Sequence, residues 1–224
     1  MPTVSVDRGE AMPRYFVVVA GNIGAGKTSL TRLMSARLGW DAFYESVSDN
    51  PYLADFYQDM RAWSLHLQVY FLGHRAKTHR YLRAEHRNSS LLDRSIYEDA
   101  EIFVRALHHL GHLSERDVNA YRSVYEQVVG GLPAPNLLIY LHASVPTLMD
   151  RIQKRARGIE TGITEDYLTL LNSFYEQWMA HFELCPVLTI PSDDLDFVAY
   201  EQHLKIITEH TLDRLKGKEE IVFE

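Results

Sequence analysis

Eight consecutive residues, Gly21, Asn22, Ile23, Gly24, Ala25, Gly26, Lys27 and Thr28, fit the spacing of a phosphate-binding loop, and Ser29 follows them. Glycines allow successive backbone N–H groups to converge on phosphate oxygens, and the start of a following helix adds partial positive charge. Lys27 can reach the β- and γ-phosphates of a nucleoside triphosphate, and the Thr28 hydroxyl can ligate Mg2+. A plain glycine-rich turn requires neither the lysine nor the threonine.

Two further groups of residues can join this chemistry. Leu91-Leu92-Asp93-Arg94-Ser95 sets a carboxylate and a guanidinium at the end of an apolar run, the edge where parallel sheets bind ligands. Asp93 can hold Mg2+ through water and Arg94 can balance the charge of a transferring phosphoryl group; a surface ion pair or a helix cap would use the same residues. Glu45, in Phe43-Tyr44-Glu45-Ser46-Val47, closes a second expected strand. From there its carboxylate would project toward the γ-phosphate as a base for an acceptor hydroxyl; taken alone, an acid after a short strand is more often a solvated loop residue, so this role rests on its position relative to the other motifs.

Basic residues gather in the segment 151–163, where Arg151, Lys154, Arg155 and Arg157 precede Gly158, Glu160 and Gly162. Arg151 and Arg155 are four apart, on one helical face, as phosphate grips in a closing lid or as a solvated helix end. Between Tyr57 and Arg75 stand Trp63, His66, Gln68, Tyr70 and Phe71. Gln68 and Arg75 share a face that suits a planar base, and the same pattern suits an ordinary core helix. His108 and His112 also share a face, but lack a third ligand and any zinc-protease spacing, so no metal is expected there.

These side chains need a scaffold. The run 15–20 is a dense β-branched and aromatic stretch, as in a strand covered on both faces. Apolar spacing then predicts a helix at 27–38, a short strand at 42–45, and a long helical region broken near Arg61 that runs to about Leu82. A strand end at 91–93 precedes helices at 99–110 and 115–129. A strand at 136–141, helices at 146–157 and 165–183, a strand at 187–190 and a helix ending near Leu215 complete the chain. Alternating strands and helices predict an α/β fold, a mainly parallel five-stranded sheet flanked by helices with an arginine-rich lid.

The 224 residues fit a single domain, 1–224, with residues 1–13 as a flexible start. A net charge of −7 argues against a nucleic-acid polymer as partner, and no apolar stretch is long enough for a membrane span. Cys185 is the only cysteine, which excludes an intramolecular disulfide and suits a cytoplasmic location.

Taken together, Gly21 to Thr28, Tyr44-Glu45-Ser46-Val47, Asp49-Asn50-Pro51-Tyr52-Leu53, Asp93-Arg94-Ser95-Ile96-Tyr97-Glu98-Asp99 and the 151–163 segment resemble the deoxynucleoside kinase family, whose members have the P-loop kinase fold. The resemblance implies transfer of the ATP γ-phosphate, with Mg2+, to the 5′-hydroxyl of a deoxynucleoside in nucleotide salvage. Glu45 would be the base, Arg94 would orient it, and Lys27, Arg151, Arg155 and Arg157 would hold phosphates. Tyr57 and Glu160 would hold the sugar 3′-hydroxyl, Gln68, Arg75 and Asp99 the base edge, and Phe103 the base plane. Arg75 and Asp99 look more like the purine- and cytosine-accepting members than the thymidine-accepting ones. A homodimer, or a related heterodimer, is implied as well. A nucleoside monophosphate kinase and a non-catalytic nucleotide-binding subunit are the competing readings.

Overall fold

The computed structural model describes residues 13–44, 50–155 and 162–217. Five strands, β1 (Phe16–Gly21), β2 (Asp41–Phe43), β3 (Ser90–Asp93), β4 (Leu137–His142) and β5 (Val187–Pro191), form one sheet in the order β2-β3-β1-β4-β5. Every pairing is parallel, as the alternation of strands and helices predicts. All six residues of β1 are buried, so the strand carries no polar alternation. Its odd-numbered valines, Val17 and Val19, face one core, with Leu30, Met34, Leu148 and Ile207. Ala20 faces the other, with Leu72, Ile96, Tyr140 and Tyr175.

Helices cover both faces. The first is α1 (Lys27–Leu38); then come α2 (Leu53–Gln58), α3 (Met60–Ala84), α4 (Ile96–Glu98), α5 (Arg105–His109), α6 (Glu115–Gly130), α7 (Val145–Arg155), α8 (Glu165–Ala180) and α9 (Glu201–Leu215). A π-helical segment, Asp99–Val104, joins α4 to α5. Chain order reverses around the central strand: the chain runs from β1 to the edge strand β2, returns to β3 beside β1, and then crosses to β4 on the other side of β1, the arrangement that opens a ligand crevice at the carboxyl ends of the strands.

The break in the long helical region falls at Asp59, close to the expected Arg61; the Asp59 carboxylate accepts the Ala62 N–H at 3.1 Å and starts α3 with a side-chain cap. Other boundaries differ: α8 ends at Ala180 rather than near Glu183, and the first part of the helix expected at 99–110 is π-helical. β2 ends at Phe43, where it pairs with Leu92, although β3 runs one residue further, to Asp93. Glu45, expected to close β2, lies outside the described residues. Arg157 and Glu160 also lie outside them.

Candidate active site

The loop after β1 is shaped by its glycines. Gly24 and Gly26 have φ of 85° and 101°, in the left-handed region that favours glycine. A Cβ on Gly24 would come within 2.9 Å of the Leu148 carbonyl oxygen, so the neighbouring helix α7 enforces that choice too. The Lys27 ammonium donates to the carbonyls of Gly21, at 2.7 Å, and Asn22, at 2.9 Å. The Asn22 side chain ties the loop to α8, donating to Leu168 O at 3.0 Å and Asn172 Oδ1 at 2.7 Å. Ile23 and Ala25 complete the loop, and the Ala25 N–H returns to the Asn22 carbonyl at 3.2 Å.

Register brings the β3 end to this loop. Asp93 pairs with Val19, and the Thr28 hydroxyl, at the start of α1, donates to Asp93 Oδ2 at 2.5 Å. Asp93 Oδ1 is buried and has no hydrogen-bond partner among the described residues. A hydroxyl and a carboxylate with an uncommitted buried oxygen are hard oxygen donors of the kind Mg2+ takes. The next residue, Arg94, has φ 72°, the one positive φ among described residues other than glycine. That backbone turn aims its guanidinium across the Phe103 ring, 4.4 Å from the centroid.

Beside this edge lies a polar set buried between α3 and the π-helical segment. Arg75 Nε is 2.7 Å from Asp99 Oδ2, and both side chains are at least nine-tenths buried. Gln68, seven residues earlier on α3, is buried, and its Oε1 has no hydrogen-bond partner among the described residues. Phe71 lies under the Arg75 guanidinium at 5.1 Å. Phe103, expected to pack on a base, has Arg94 over its ring. Tyr57 is exposed on α2.

The structure thus pairs Thr28 with Asp93 at the end of β3, beside the loop that carries Lys27, sets Arg94 over Phe103, and pairs Arg75 with Asp99; Gln68 is buried two helical turns before Arg75 on α3. Ser29 lies within the first turn of α1. Arg151 occupies an unexpected seat. Its guanidinium donates to Ala25 O at 3.2 Å, Ser192 Oγ at 2.8 Å and Ser192 O at 2.7 Å, so it clamps the loop backbone to the end of β5. Arg155 is exposed at the last residue of α7.

Several residues in the site escaped the sequence reading. Glu98 is fully buried and caps α4, accepting the Ser95 N–H at 2.6 Å and the Ser95 hydroxyl at 3.0 Å through Oε2. Ser95-x-x-Glu98 is a capping-box pattern, so this signal was available locally. Tyr175, Asn172 and Ser192 reach the loop from distant chain positions and carry no local signature. Tyr167, on α8, has its hydroxyl pushed up to about 12 by burial and by the neighbouring Tyr57, against the pull of Arg94. Tyr121 is buried, and its hydroxyl has no hydrogen-bond partner among the described residues; burial, then the Asp99 charge, raises its pKa.

Comparison with known proteins supplies the classification. A sequence profile described as deoxynucleoside kinase matches residues 17–215. The chain belongs to the deoxynucleoside kinase family. It is accordingly a phosphotransferase. The deoxyadenosine/deoxycytidine kinase of Bacillus subtilis (strain 168) is 36% identical over 195 residues, covering 86% of this chain and 89% of its own. The deoxyguanosine kinase of Lactobacillus acidophilus is 36% identical over 209 residues, 89% and 90% of the two chains. The deoxyadenosine kinase of M. mycoides, solved with bound dATP, superposes with a TM-score of 0.76 at 29% identity, covering 88% of this kinase and 99% of that chain. The P-loop kinase fold expected from the motifs is the one this deoxynucleoside kinase has.

Proposed function

We propose that this kinase transfers the γ-phosphate of ATP to the 5′-hydroxyl of a purine deoxynucleoside, deoxyadenosine or deoxyguanosine. The observation that carries this reading is the buried Arg75–Asp99 pair, with Gln68 buried two helical turns earlier on α3. A guanidinium fork, a carboxylate and an amide together present donors and acceptors to the edge of a base. Relatives named deoxyadenosine and deoxyguanosine kinases support the purine choice.

In this reading the loop residues Gly21 to Ser29 wrap the triphosphate, Lys27 contacts its outer phosphates, and Thr28 and Asp93 hold Mg2+, which supplies charge neutralisation between the phosphates. Glu45 takes the proton of the 5′-hydroxyl, and Arg94 balances charge on the transferring group. Arg155 and Arg157 steady the donor from the lid, while Arg151 acts through its clamp on Ala25. Tyr57 and Glu160 hold the sugar. The sheet and both cores form one catalytic unit, and the enzyme works in the cytoplasm as a dimer through its long helices.

Replacing Glu45 with Ala tests the base assignment. ATP binding should persist while kcat falls by about a hundredfold or more, the scale of general-base loss. Near-normal turnover would overturn it.

A further inference from the structure

The Gly21 carbonyl, first in the phosphate-binding loop, is approached by two donors: Lys27 Nζ at 2.7 Å and the Tyr175 hydroxyl at 2.8 Å. That hydroxyl is also 2.7 Å from Glu98 Oε1. It has one proton and two acceptors in reach. Its pKa is raised by burial, then by the Glu98 charge, so it remains a neutral donor.

Strand geometry explains why this carbonyl needs side-chain partners. The carbonyls of Tyr15 and Val19 point to the β3 side, where they accept N–H groups from Ser90 and Arg94. Gly21 O is the next on that side, and β3 has ended at Asp93. A buried carbonyl without a donor costs far more than a made hydrogen bond returns.

A lysine that engages the triphosphate must give up its seat on the loop carbonyls. Asn22 O keeps a donor when it does, the Ala25 N–H at 3.2 Å. Gly21 O has Tyr175. Glu98 can release the tyrosine proton, because it still accepts from the Gly21 N–H at 3.2 Å and from Ser95 N and Oγ. Every buried group therefore stays satisfied through the change. We propose that Tyr175 is a positioning residue for the donor site: its hydroxyl moves from Glu98 to the Gly21 carbonyl as Lys27 leaves for the phosphates, lowering the cost of binding ATP. This rests on the proposed contact between Lys27 and ATP.

Calorimetric titration with ATP and steady-state kinetics on the wild type and Tyr175→Phe test the exchange. The variant should bind ATP about three- to tenfold more weakly, the range of one lost hydrogen bond, with the KM for deoxynucleoside within about twofold of wild type. Unchanged ATP affinity, or an equal loss for both substrates, would overturn the proposal. A measurement on the native sequence does not depend on the variant folding. With 13C placed at Cζ of Tyr175 alone, ATP should shift the resonance and a deoxynucleoside alone should not; a resonance that ignores ATP overturns the proposal. Wild-type enzyme that phosphorylates no deoxynucleoside would instead contradict the function reading, and the ATP titrations would still decide the exchange.

Discussion

The Thr28 hydroxyl meets the Asp93 carboxylate at 2.5 Å, although the two residues are 65 positions apart. Parallel pairing of β1 with β3 makes them neighbours, one opening α1 and the other closing its strand. Asp93→Asn keeps the size and removes the charge. Its activity should need about ten- to a hundredfold more Mg2+, the usual penalty for losing a group that supports a metal site. Activity titrated against Mg2+ at saturating ATP checks this, and an unchanged midpoint would remove Asp93 from the metal site.

Arg94 has a backbone conformation that glycine adopts freely, so Arg94→Gly should fold at least as readily at that residue. The lost guanidinium should lower kcat by about a thousandfold, as for other arginines that stabilise phosphoryl transfer. Thermal unfolding and kcat, measured together, separate the two effects. A kcat within tenfold of wild type would contradict the role given to Arg94.

The Arg75–Asp99 pair is buried, so removing one partner strands the other. Arg75→Met should cost about 3–5 kcal/mol of stability by urea unfolding. Adding Asp99→Leu should recover most of that loss, because an apolar pair suits a buried site, yet selectivity among deoxynucleosides should stay lost. A double variant that keeps the wild-type ranking of substrates would show that the pair does not read the base.

His79 lies edge-on to the Phe16 ring at 4.7 Å, and its Nε2 is 2.7 Å from the Pro133 carbonyl, so Nε2 carries the donating proton. Burial holds its pKa below the ordinary 6.5, against the raising effect of the Pro133 contact. The depressed folded-state value means that the unfolded chain takes up a proton first as pH falls. The stabilising contribution is complete above about 6.5 and is lost below it, down to the folded-state pKa. His79→Gln should lack that part of the acid dependence. Urea unfolding of both proteins from pH 8 to pH 5 checks this, and parallel pH profiles would contradict it.

Local patterns were legible wherever chemistry and chain position coincide. The loop from Gly21 to Thr28 and the Asp93-Arg94-Ser95 strand end could be read because strand, turn and helix signals frame them within a few residues. Gln68 and Arg75 could be paired by helical spacing, and Asp99 joined them through the family resemblance. The end of β2 was not legible, because the apolar run continues to Tyr44 while the pairing with β3 stops at Phe43. Arg151 looked like a free lid arginine; its partner Ser192 is 41 residues away, and nothing in the basic run announces that contact. The Tyr175 contact with Gly21 spans 154 residues and depends on how α8 crosses the sheet. Glu98 is different, since its capping-box spacing was visible and only its second role, at the loop, required the fold.

The most direct measurement compares kcat/KM for deoxyadenosine, deoxyguanosine, deoxycytidine, thymidine and their monophosphates, with ATP and Mg2+. A purine deoxynucleoside should give the highest value, with its 5′-monophosphate as the product. Preference for a monophosphate acceptor, or for thymidine, would contradict the proposed function.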